Sequence, residues 1–382
     1  MESLVVTLVI VFAGVVLLPV IARKIGIPVI VSEILFGIVI GKSLLNLVPE
    51  HAIIDFFSSF GLTYLMFLAG LETDFGRMRW KILKKVLLIV LASISIPFLS
   101  GALLSFWVPI HPLLFGTILS TTSLGLILPL LKDLKFTRRI SQMLLFSVVL
   151  VDIISLFLLA FVLATVQGAL ELRFLYSFLA VVILFLIPWL INKRKLRRRF
   201  IARFFKQSYF DLEMRVAFAL IFFLGAISLQ LGFHTIVGAF IAGLLISEIL
   251  PRTTLEEEKL QSFGYGFFIP LFFIFTGAKV NLATVFSDLN NISVLLVVVA
   301  VGMLSKVVSV AIAARLSGLD MRKSAAFGLF HTARLSLILA AADISIGLGL
   351  IDEALFAIFI ILAIISATVA PALGKYIMSG KT

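Results

Sequence analysis

Residues 143–164 read MLLFSVVLVDIISLFLLAFVLA, an apolar run with a single acid, Asp152, near its middle. A stretch of this length without turn signals is long enough to cross the roughly 30 Å hydrocarbon layer as one helix. Placing a charge at the centre of such a helix costs on the order of 2.5–3.5 kcal/mol, so it needs a reason. Asp152 lies too far from either end of the run to reach an interface. It must take up a proton, a cation or a buried partner. The run therefore assigns the chain to the membrane proteins and names its first candidate functional residue.

The rest of the chain agrees with this reading. It is 62% hydrophobic and 14% charged, against roughly 45–50% and 25% in soluble domains. Thirteen apolar segments are expected to cross: 3–22, 28–42, 53–70, 82–107, 112–131, 140–166, 174–192, 211–230, 233–249, 260–278, 289–314, 324–348 and 353–374. The first has no basic stretch before it and no small-residue cleavage site, so it reads as a retained helix rather than a signal peptide. The fold class is all-α and polytopic.

An odd number of crossings puts the termini on opposite sides. With the N-terminus outside and the C-terminus cytoplasmic, only Lys42, Arg173 and Lys279 of the 32 Lys and Arg fall outside, and Lys306 and Arg334 fall within the membrane. That is the positive-inside pattern. It accounts for the net charge of +12, which in a soluble protein would point to nucleic acid. The basic cluster at 193–206 needs no nucleic-acid partner, because anionic lipid suffices. Cysteine is absent, so there are no disulfides or thiolate metal sites, and the four histidines show no ligand spacing. No nucleophile–base pair or phosphate loop supports an enzyme, and no cofactor is implied.

The chain also resembles itself. IVSEILFGIVIG (30–41) matches IVGAFIAGLLIS (236–247), and Ser-Phe-Gly opens the following segment at 59–61 and again at 262–264. The alternative is chance likeness of apolar strings. Read as repetition, the single transmembrane domain 1–382 divides into a first six-helix repeat (1–166), a linker helix and basic loop (167–210), and a second repeat of opposite topology (211–382). Inverted repeats of this kind mark secondary transporters, which hold substrate near the midplane.

Four further charges lie at membrane depth or close to it: Glu33, Lys306, Arg334 and, nearer the outer face, Asp343. Glu33, early in a short segment, is within reach of the interface and reads as structural. Lys306 is deep, and Asp152 is the mid-depth acid able to partner it, whether for function or for structure. Ser155, three residues after Asp152 on the same helix face, adds an oxygen. Two segments read as interrupted helices, at TILSTTSLG (117–125) and HTARLS (331–336). Unwound carbonyls at matching depths suit ion coordination, although Ser and Thr also bond back onto their own helix.

SEILFGIVIG (32–41), FLAGLETDF (67–75), STTSLGLILPLLKDL (120–134), VVLVDII (148–154), VGAFIAGLLISE (237–248), PLFFIFTGAKVNL (270–282) and MLSKVVS (303–309) together resemble the monovalent cation/proton antiporters of the second superfamily over essentially the whole chain. The resemblance implies a thirteen-helix inverted-repeat fold with two crossing discontinuous helices, a dimerisation domain and a mobile core, working as a homodimer in a prokaryotic inner membrane. It implies Asp152 as the essential carboxylate, with Thr122 and Ser123 as hydroxyls at the first break. Lys306 and Arg334 correspond to the family's basic residues. Val151 stands where many relatives carry a polar or acidic residue, and Ser336 stands where Arg-Gly-Glu would put an acid.

With one mid-membrane carboxylate the cycle reads as one cation, Na⁺ or K⁺, for one proton; the alternative is two protons per cation, if Lys306 sheds a proton together with Asp152. The competing readings are a sodium-coupled symporter of an organic anion and a channel-like subunit gated by a separate cytosolic regulatory protein.

Overall fold

The computed structural model describes residues 2–72, 82–123, 126–127, 136–166, 212–249 and 254–379. The expected segment 174–192 and the basic loop after it lie outside the described residues. Among those described, the chain runs α1 (Glu2–Ile25), α2 (Val29–Ile40), α3 (Ala52–Glu72), α4 (Leu83–Leu104), α5 (Pro112–Ser120), α6 (Arg138–Val166), α7 (Leu212–Gln230), α8 (Thr235–Ile249), α9 (Thr254–Phe263), α10 (Ile269–Lys279), α11 (Ala283–Phe286), α12 (Leu289–Leu316), α13 (Met321–Thr332), α14 (Ser336–Gly347) and α15 (Glu353–Ser379). Among the described residues, eight helical stretches are long and apolar enough to cross a bilayer, and large apolar side chains such as Val9, Val16, Leu99, Leu103, Leu304 and Ile312 lie exposed. Helices whose outer faces are this apolar need a lipid surround. The protein is an all-helical, multi-pass membrane protein.

One expected boundary is wrong in a way that hydropathy explains. The segment placed at 260–278 begins instead at Thr254, because TLEEEKLQSF forms α9 despite its charge. It then passes through a π-helical turn, Gly264–Phe268, into α10. Pro270 follows that turn and supplies no N–H to the helical ladder.

The described chain forms two compact units, one from Met1–His51, Arg79–Val162 and Phe273–Thr382, the other from Ala52–Met78 and Leu163–Phe272. Each contains a seam where two helices touch backbone to backbone. In the first unit, a Cβ on Gly37 would lie 2.0 Å from the Ile274 carbonyl oxygen, and one on Gly277 would lie 2.2 Å from that of Ile34. In the second, a Cβ on Gly243 would lie 2.0 Å from the Phe67 oxygen, and one on Gly70 would lie 2.1 Å from that of Phe240. Only glycine admits such approach, and small-residue seams are how helices pack tightly in lipid. The seams correspond residue by residue: Gly243 and Phe240 follow Gly37 and Ile34 by 206 positions, and Ile274 and Gly277 follow Phe67 and Gly70 by 207. The second unit adds an aromatic cluster, with Phe60 and Phe268 rings 4.6 Å apart and the Tyr64 hydroxyl donating to Leu260 O at 3.1 Å.

Candidate functional site

The site lies within the first unit, where two helices stop mid-course. Helix α5 starts with Pro112 at its first position, where a missing N–H costs nothing. It ends at Ser120, and Thr121 is extended (φ −60°, ψ 156°). The hydroxyls of Thr117, Ser120 and Thr121 bond back to the carbonyls of Leu113, Thr117 and Ile118, which offers the backbone an alternative to continuing the helix. Helix α13 starts at Asp320, whose carboxylate accepts from Lys323 N at 2.9 Å, and ends at Thr332. Ala333 is extended and Leu335 irregular (φ −147°, ψ −70°) before α14 resumes at Ser336. Both breaks fall inside the stretches that the sequence marks as interrupted.

The two breaks are bonded directly to each other. Ser123 N donates to Ala333 O at 3.0 Å, Thr122 Oγ1 donates to His331 O at 3.0 Å, and the Ser123 and Ser336 hydroxyls are 3.2 Å apart. Thr121, Thr122, Ser123, His331, Thr332 and Arg334 are all buried.

Lys306, fully buried on α12, donates to the carbonyls of Ser120 and of Thr121, the latter at 2.6 Å. These are helix-end carbonyls with no continuing turn to satisfy them, and a cation there also complements the helix dipole. The sequence alone casts Lys306 as a partner for Asp152. The structure brings it within electrostatic reach of both Asp152 and Arg334, while its hydrogen bonds go to the broken helix. Backbone carbonyls leave no sequence signature, so this capping role is visible only in three dimensions.

Arg334 is fully buried and donates through Nη2 to Gly302 O at 2.6 Å. A Cβ at 302 would meet the Leu119 Cδ2 methyl at 3.2 Å and stand in ordinary contact with Nη1 at 3.6 Å. The remaining donors, Nε and Nη1, have no hydrogen-bond partner among the described residues. Asp152, midway along α6, is partly accessible, whereas its neighbours Val151, Ile153, Ser155 and Leu156 are buried. Ser155 Oγ is buried without a hydrogen-bond partner among the described residues, an orphan oxygen one turn from the carboxylate. A carboxylate, hydroxyls and helix-end carbonyls form the oxygen-rich donor set that hard cations prefer.

Two of the remaining candidates lie apart from this cluster. Asp343, on α14, pairs with Lys279 at 2.8 Å. Glu33, expected to reach the interface, is instead 3% exposed and has no hydrogen-bond or ion-pair partner among the described residues. It lies one helical turn before Gly37, where α2 presses against α10. A functional candidate that the sequence marks only as the first residue of HTARLS is His331, whose ring joins Ser93 and Ser147. A lone histidine without ligand spacing gives no signal of this.

The family model "Sodium/hydrogen exchanger, transmembrane" matches residues 8–379. A protein of Methanocaldococcus jannaschii named "Probable Na(+)/H(+) antiporter 3" is 31% identical over 343 residues, covering 88% of this chain and 87% of that one. The Na(+)/H(+)-K(+) antiporter GerN of Bacillus cereus is 27% identical, covering 85% and 83%. The solved structure of the sodium proton antiporter MjNhaP1 from Methanocaldococcus jannaschii at pH 8 shares the fold, with a TM-score of 0.69 at 18% identity over 100% of this chain and 98% of that one. With its family model running nearly end to end over a chain whose two broken helices meet beside buried charges, this protein belongs to the transmembrane sodium/hydrogen exchanger family.

Proposed function

We propose that the protein exchanges a monovalent cation, Na⁺ or K⁺, for H⁺ across the cell membrane by alternating access. The observation that carries the reading is the direct bonding of the two helix breaks, Ser123 to Ala333 and Thr122 to His331, in the unit that also holds Asp152. Asp152 binds the cation or the proton in turn, and Thr122, Ser123 and Ser155 supply further oxygens. Lys306 and Arg334 carry the compensating charge, Lys306 by holding the end of α5. With Val151 beside it, Asp152 is the only carboxylate serving the cycle, which therefore moves one cation per proton.

The thirteen-helix inverted repeat belongs to the same proposal. The paired glycine seams support it, since each contact of one recurs in the other, at 206 positions on the side of the IVSEILFGIVIG match and at 207 on the other. So does the like geometry of the two breaks. The N-terminus is outside and the C-terminus cytoplasmic, the chain acts as a homodimer, and any gating by a cytosolic subunit resides in a separate polypeptide.

The test is a panel of Na⁺, K⁺ and Li⁺ gradients imposed on proteoliposomes enclosing a fluorescent pH reporter. Exchange produces alkalinisation or acidification that saturates with cation concentration. A cation flux without proton counterflow would favour a channel and defeat the proposal.

A further inference from the structure

His331, on α13, bonds to three other parts of the chain: α4, α6 and the extended segment after α5. Its ring meets Ser93 Oγ on α4 through Nδ1 at 3.3 Å and Ser147 Oγ on α6 through Nε2 at 2.8 Å. Its own carbonyl, at the end of α13, accepts from Thr122 beyond α5. The ring is fully buried, and among the described residues Lys306 is within its electrostatic reach.

Counting polar hydrogens decides the ring's state. Ser147 has one hydroxyl hydrogen, and that hydrogen goes to Leu144 O at 2.9 Å. Its oxygen can then only accept from the ring, so Nε2 carries a hydrogen. Nδ1 is left as an acceptor, and Ser93 Oγ donates to it. Ser93 is itself fully buried, and His331 is its one side-chain hydrogen-bond partner among the described residues. Protonating Nδ1 would strand the Ser93 hydroxyl hydrogen in a dry interior, a cost that buried polar groups avoid. One arrangement satisfies every hydrogen: the neutral ring with Nε2–H.

We propose that His331 is a positioning residue for the ion site: as a neutral Nε2–H imidazole it pins the helix of Asp152, through Ser147, to the broken helix that also anchors Thr122. Ser147 and Asp152 are five residues apart on one helix, about 7.5 Å along its axis, so a shift at one reaches the other undiminished. The proposal rests on the reading of Asp152 as the ion-binding carboxylate. Orienting a ligand from behind in this manner is worth roughly 10–100-fold in ion affinity when removed.

Two measurements test it. In protein labelled with ¹⁵N-histidine, with the four histidines sorted by the signal lost in His331→Gln, the His331 ring should be neutral with its hydrogen on Nε2. A ring protonated on Nδ1, or on both nitrogens near neutral pH, overturns the assignment whatever the protein transports. In proteoliposomes, His331→Leu and Ser147→Ala should each raise the half-saturating Na⁺ concentration roughly 10–100-fold while changing the maximal rate much less. His331→Gln, whose amide nitrogen donates from the Nε2 position, should restore most of the affinity. Half-saturation within twofold of wild type in both His331→Leu and Ser147→Ala overturns the positioning role. So does a His331→Gln variant no better than His331→Leu. An Asp152→Asn variant that exchanges as well as wild type would instead overturn the site reading beneath it, and the two failures are told apart by that control.

Discussion

Replacing Lys306 by Met separates what its amine does for the fold from what its charge does for transport. Its Nζ donates to Ser120 O and Thr121 O, in a fully buried break. Met fills nearly the same space and donates nothing, so two buried carbonyls lose their partners, at about 1–3 kcal/mol each. Removing the ammonium also relieves its desolvation, a cost on the order of 2 kcal/mol beyond what its bonds return. A gross loss of about 4 kcal/mol, the middle of the range for two carbonyls, then leaves about 2 kcal/mol net. At about 2–4 °C per kcal/mol, the melting point falls by roughly 4–8 °C. Lys306→Gln keeps two N–H donors on a reach one bond shorter and should recover about half of this. Intrinsic fluorescence melts of the purified protein read both variants, since the chain has three tryptophans. A Lys306→Met protein melting at or above wild type, or a Gln variant no better than Met, would refute the capping role.

Further outcomes are expected. Ala at Gly37 or at Gly243 puts a Cβ 2.0 Å from a carbonyl oxygen where ordinary contact begins at 3.4 Å, so each should destabilise the protein by about 1–3 kcal/mol. Gly347→Ala, with open space around it, should be neutral or mildly stabilising in the same melts. A single Cys at Lys42 should react with an impermeant thiol reagent applied to intact cells and one at Arg23 should not, in a chain that has no native cysteine; the reverse pattern refutes the orientation. Asp320, capping α13, is held below the usual carboxylate range by its hydrogen bonds from Lys323. Its folded form is thus favoured when ionised. The advantage of wild type over Asp320→Ala, about 1 kcal/mol for an exposed cap, should be full above the ordinary value of 3.8. It should fade as pH falls through the depressed one, and an advantage constant with pH would exclude the carboxylate as its source.

Much of the fold and part of the site are legible in the sequence, for physical reasons that differ from residue to residue. Asp152 stands out because lipid penalises charge, and an acid inside a long apolar run has to be protonated, ion-bound or paired. The helix breaks are announced by TILSTTS and HTARLS, since clustered hydroxyls compete for backbone carbonyls, and the structure interrupts the helices at 121–123 and 333–335. Contacts to the backbone are invisible in a string of side chains. Neither the carbonyls that hold Lys306 nor the Gly302 carbonyl that holds Arg334 can be read there. Glu33 is misplaced by the sequence because its position in a short segment says nothing about how deeply tertiary packing buries it. His331 is silent because its partners are two serines far away in sequence, 238 and 184 residues distant. The charged start of α9 is silent too, because hydropathy sees lipid contact and not helicity.

The central claim concerns a single carboxylate, and Asp152→Asn tests it most directly. Reconstituted in proteoliposomes and checked for native melting behaviour, this variant should show no cation-driven proton flux above protein-free vesicles, while wild type alkalinises or acidifies the lumen in a saturable manner. Exchange by the correctly folded Asp152→Asn protein at a rate near wild type would contradict the assignment of Asp152 as the residue that binds cation and proton in turn.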